Sequence, residues 1–131
     1  MSDNVKLPDS VNTIPEALAF WADRTPGAPA VRAIDGRELS HGELLEAVNR
    51  VGVRLCALGI QGDARVAMTL QGGADPCVAL LGTMAVAVAV PFNPAATAHE
   101  LTSDLKRLRP RLLVTGGPAE TLSRSVAATL G

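Results

Sequence analysis

Ala74-Asp75-Pro76-Cys77-Val78-Ala79-Leu80-Leu81-Gly82-Thr83-Met84-Ala85-Val86-Ala87-Val88-Ala89-Val90-Pro91-Phe92-Asn93-Pro94 is the stretch on which the fold turns. From Cys77 to Phe92 it carries no charge, and Thr83 is its only polar side chain. A membrane span needs roughly 18 or more apolar residues with interfacial anchors. This run is short and closed by two prolines, so no membrane span is expected. Leu, Met, Ala and Gly come first, then Ala and Val alternate up to Pro91. That change predicts a buried helix turning directly into a buried parallel strand, covered on both faces. The unit is expected at the centre of an α/β sheet.

The rest of the chain supplies its neighbours. Thr13-Ile14-Pro15-Glu16 reads as a capping box with a first-turn proline, opening a helix whose Ile14, Leu18 and Trp21 share one face. Thr25-Pro26-Gly27-Ala28-Pro29 ends it. Ala30–Ile34 and Arg37-Glu38-Leu39 flank Asp35-Gly36, predicting a small antiparallel ribbon with a two-residue turn. Ser40-His41-Gly42-Glu43 is a second capping box, before a helix with Leu44, Val48, Val51, Leu55 and Leu58 in one stripe and Gly59 just past its end. Strands are expected at Arg65–Leu70, Ala87–Val90 and Arg111–Thr115. Thr97-Ala98-His99-Glu100 caps a helix with Leu101, Leu105 and Leu108 inward, and Ala119–Leu130 starts a further one. The class is α/β: a three-layer, doubly wound, mostly parallel sheet with a small antiparallel ribbon near the N-terminus. Residues 1–12 read as a flexible lead and 13–131 as the folded part.

Composition excludes several functions. The net charge of −1 leaves no electrostatic footprint for nucleic acid, and two Phe, one Trp and no Tyr leave little to stack a base upon. Cys56 and Cys77 lie in apolar helical patterns and read as small core residues. The polar start carries no signal peptide, so a cytoplasmic protein is expected.

Each candidate site also has a plain structural role. His41 beside Ser40 suggests a nucleophile and base, but capping already occupies Ser40. Gly72-Gly73 and Gly116-Gly117 lie between strand and helix at one sheet edge, where a phosphate could be cradled. Neither has the spacing of a phosphate-binding motif, and a tight turn is the simpler reading. Lys106, Arg107, Arg109 and Arg111 gather where a helix meets a strand; a helix C-terminus favours cations, with an anionic ligand or a partner surface as the alternative. No residue is assigned to catalysis, cofactor binding or metal binding.

Three further stretches carry a family resemblance. Trp21-Ala22-Asp23-Arg24-Thr25-Pro26 resembles the opening helix and proline turn of the AMP-forming adenylating enzymes, which include acyl-CoA synthetases, luciferases and peptide-synthetase adenylation domains. Leu39-Ser40-His41-Gly42-Glu43-Leu44 resembles their Leu-Thr-Tyr-x-Glu-Leu motif, and Met84–Pro94 their Lys-Ala-Gly-Ala-x-x-x-Pro-hydrophobic-Asn-Pro motif. Asn93-Pro94-Ala95 through Leu112-Leu113 is most similar to the oxalate- and short-acid-CoA ligase branch. The likeness runs from about Thr13 to Gly117 and carries over scaffold positions: Leu39, Glu43, Leu44, Pro91 and Pro94. His41 replaces the family's tyrosine. Val86 replaces the glycine that ends the central helix, at a place where valine disfavours positive φ. The Ser/Thr-Gly-rich-Lys-Gly phosphate loop, the ribose aspartate and the catalytic lysine have no counterpart here.

The resemblance therefore implies a truncated N-terminal subdomain of an ATP-dependent acid–thiol ligase, inactive alone. It could be a gene remnant, one half of a split gene or a wrongly delimited open reading frame. ATP, Mg and CoA are implied for the complete enzyme and none for this chain. The implied partners are a companion C-terminal segment or a full-length ligase, and self-association. The alternatives are a stand-alone, non-catalytic interaction module that docks on a ligase or carrier-protein system, and a small ligand-binding protein using the two glycine turns.

Overall fold

A computed structural model describes residues 6–130. The expected lead falls partly outside that range, within residues 1–5. Helix α1 (Ile14–Arg24) is followed by β1 (Pro29–Arg32), β2 (Glu38–Ser40) and α2 (His41–Ala57). Then come β3 (Arg65–Thr69), α3 (Ala74–Met84), β4 (Val88–Pro91), α4 (Ala98–Leu108), β5 (Leu112–Thr115), a single 3₁₀ turn and α5 (Glu120–Leu130).

The local signals act as their chemistry requires. Thr13, Ser40 and Thr97 each accept the N–H of the glutamate three residues on, and each glutamate carboxylate accepts the cap's own N–H. Gly59, at φ +76, ends α2. Its N–H reaches the Cys56 carbonyl and that of Ile60 the Leu55 carbonyl, both at 2.9 Å, the paired closure of a Schellman motif. Leu55 and Ile60 meet in one apolar cluster beneath it.

Three local expectations need correction. The ribbon turn has three residues, not two. Ala33 and Arg37 close it, the Gly36 N–H returns to the Ala33 carbonyl at 3.0 Å, and Gly36 takes φ +89. A type I turn followed by a left-handed glycine adds one residue to a hairpin, and it puts Ile34 fully in solvent at the tip. Leu58 is the C-cap of α2 rather than part of its inward stripe, and is 61% exposed. Val86 needs no left-handed backbone: among the described residues only Arg109, of the non-glycines, has positive φ. Helix α3 instead ends by tightening around one carbonyl, the Thr83 oxygen accepting both the Val86 and Ala87 N–H groups.

The three later strands are parallel, as expected, with β3 in the middle of the order β4-β3-β5. The Ala74–Pro94 unit is therefore not central. Among the described residues its strand β4 is a margin of the sheet, with Val88 42% exposed. The reason is the winding. The crossover through α3 sets β4 on one side of β3, and the crossover through α4 passes back over β3 to set β5 on the other. The strand covered on both faces is β3, whose Val66 and Ala67 are wholly buried.

The two crossovers put helices on opposite faces. On one, α2 and α3 enclose Leu55, Ile60, Ala64, Val66 and Met68. On the other, α4 and α5 enclose Ala67, Leu101, Leu105 and Val126. The result is the expected three layers. Cys56 is exposed and Cys77 half-buried, so neither is the core residue its pattern suggested. Among the described residues, no helix is long and apolar enough to cross a membrane.

Candidate functional site

Strands β3 and β5 are neighbours, yet the helices that follow them lie on opposite faces of the sheet. Their carboxyl ends thus diverge, which is where an open α/β sheet forms a ligand crevice. The structure brings the two glycine turns to this edge, as the sequence implied. The Leu70 side chain lies across the gap, 3.3 Å from where a Gly116 Cβ would stand. Gly73 is the N-cap of α3 at φ +142 and Gly117 has φ +64, so glycine is required at both by the backbone itself.

Below the mouth lies a chain of hydroxyls absent from the sequence reading. Thr69 Oγ1 donates to Thr115 Oγ1 at 2.9 Å and lies 2.7 Å from Ser123 Oγ. Thr69 has one hydroxyl proton, so Ser123 is the donor to Thr69. Thr69 and Ser123 are each 1% exposed, and each is satisfied by the other, which removes the cost of burying a lone hydroxyl. The signal available in sequence was only the final Thr of each strand. That Ser123 would join them depends on the placement of α5.

The α3 N-terminus does not offer an open anion site. Asp75 stands in its first turn, already complementing the helix dipole, and pairs with Arg37 Nη1 of the ribbon turn at 2.9 Å. A bound phosphate would meet that carboxylate. The tight-turn reading is the better one. Among the described residues, no group of three His, Cys, Asp or Glu is placed to hold a metal ion.

Ser40 and His41 do not form a nucleophile and base. Ser40 Oγ accepts from the Glu43 N–H at 3.2 Å, and the His41 ring lies over Trp21 with centroids 6.0 Å apart. The His41 N–H donates to the Ala28 carbonyl, tying ribbon to helix. The Glu43 carboxyl is held below the usual carboxylate range, mainly because it accepts the Ser40 backbone N–H and then through the Ser40 hydroxyl. Glu16 is lowered in the same way, chiefly by the backbone N–H of Asn12 and that of Thr13.

Lys106 and Arg107 lie in the last turn of α4, as expected. Arg65, at the start of β3, joins them there, its Nη1 donating to the Leu108 carbonyl at 2.7 Å. Sequence reading missed it, because α4 runs back to the edge where β3 begins and only the fold shows that. Arg107 pairs with Asp104 at 3.1 Å. Among the described residues, Lys106, Arg109 and Arg111 have no carboxylate within salt-bridge distance.

Comparison with known proteins agrees with this scaffold. The family model described as AMP-binding enzyme matches residues 18–130. Phosphinothricin tripeptide synthetase PhsC of Streptomyces viridochromogenes is 38% identical over 104 residues, covering 79% of this chain and 10% of that protein. MatB from Rhodopseudomonas palustris is 28% identical with a TM-score of 0.77, over 91% of this chain and 24% of that one. The N-terminal domain of FACL13 from Mycobacterium tuberculosis is 25% identical with a TM-score of 0.81, over 90% of this chain and 31% of that one. The chain thus spans about a tenth of that curated relative and a quarter to a third of the solved ones. With its winding, its capping boxes and a family match over 18–130, this chain belongs to the AMP-binding enzymes and corresponds to part of their N-terminal domain.

Proposed function

We propose that this chain is the N-terminal segment of an ATP-dependent acid–thiol ligase and contributes scaffold, not catalytic groups, to the reaction. In the assembled enzyme a carboxylate attacks the α-phosphorus of ATP, giving an acyl-adenylate and pyrophosphate. A thiol of CoA or of a carrier then takes the acyl group and AMP leaves. The observation that carries this reading is the family match over 18–130 on a chain that spans only 24% of a solved relative. Stabilising a pentavalent phosphorus needs cationic groups and fixed donors aimed at its oxygens. The crevice supplies uncharged hydroxyls that bond to one another and two glycine turns. ATP, Mg and CoA therefore belong to the complete enzyme, in a cytoplasmic setting where ATP and thiol are at hand.

ATP–pyrophosphate exchange with a panel of carboxylic acids tests this reading. The chain alone is expected to match a no-protein control, and mixing it with the remainder of a related adenylating enzyme is expected to raise exchange above that of the remainder alone. Exchange by the purified chain alone, free of host ligases, overturns it.

A second reading, a stand-alone interaction module, draws on one observation. The central strand is already buried on both faces by this chain's own helices, so the segment has a core of its own.

A further inference from the structure

We draw no further inference here: the strongest candidate, the open cleft of about 830 Å³ between the ribbon turn and the Gly72-Gly73 turn, carries nothing because Arg32 is already paired with Glu38 and Asp35 with the Arg37 N–H, and nothing in the structure shows what covers its apolar wall.

Discussion

The two faces of the sheet are closed by different means. On the α2–α3 face the helices meet backbone to side chain: a Cβ on Gly82 would stand 2.5 Å from Val51 Cβ and 3.2 Å from the Val48 carbonyl oxygen. On the α4–α5 face, leucines fill the space around Ala67, and the hydroxyl chain of Thr69, Thr115 and Ser123 fixes α5 over the strand ends. The first face is specified by shape, with little room to adjust. The second is specified by side-chain volume and by matched polar groups, which can be changed together.

Substitutions should separate the two. The largest effect is expected for Leu101→Ala, which empties a site 2% exposed on the second face; a loss of about 2–5 kcal/mol in urea unfolding is the range for such cavities. On the first face, Gly82→Ala should cost about 1–3 kcal/mol, overpacking outweighing the ~1 kcal/mol that alanine gains in helix propensity. Gly52→Ala is its control. The obstacle there is Val86 Cγ1 at 3.2 Å, a side chain that can turn aside, and stability should change far less than for Gly82→Ala. Equal losses at both glycines would break the shape argument.

Thr69→Val should cost about 1–2 kcal/mol by stranding the Ser123 donor, and adding Ser123→Ala should recover part of it, since removing both partners is milder than removing one. Strict additivity would mean that the hydroxyls do not act as a chain. The smallest effect concerns pH. Glu16 and Glu43 titrate lower when folded, so their capping contribution is complete above the ordinary carboxylate pKa and is lost as pH falls through the lowered one. Thermal melts of Glu43→Gln should show a shallower acid limb than the unaltered chain.

How much of this was legible follows from how local each signal is. The three capping boxes and the Gly59 closure are written within a few residues, and all four stand where the sequence implied. Strand order is not local. Nothing in Ala74–Pro94 says on which side of β3 the chain will return, so the most apolar stretch passed for the centre. Val66-Ala67-Met68 is no more apolar than Leu112-Leu113-Val114 of β5 and a shorter run than the one through β4, so composition does not rank the three strands. The Arg65 contact to Leu108 and the Ser123 bond to Thr69 arise between elements distant in sequence. No spacing rule reaches them. The candidate site was legible only as two glycine turns; that hydroxyls line it needed the register Thr69↔Thr115.

A two-faced core with two open margins also bears on whether this chain stands alone. Val88 on β4 is 42% exposed and Met84 at the end of α3 is 45% exposed, and among the described residues β5 pairs with β3 alone. At roughly 25 cal/mol per Å², a few hundred Å² of wet apolar surface forfeits several kcal/mol, a large part of the ~5–15 kcal/mol that holds an ordinary domain. Light scattering of the purified chain across a concentration series, with and without the remainder of a related adenylating enzyme supplied in trans, tests the central claim of a completed scaffold most directly. The account predicts a mass that rises with concentration and falls back to a one-to-one complex when the remainder is added. A constant monomer mass that the remainder leaves unchanged would contradict it and establish the stand-alone module.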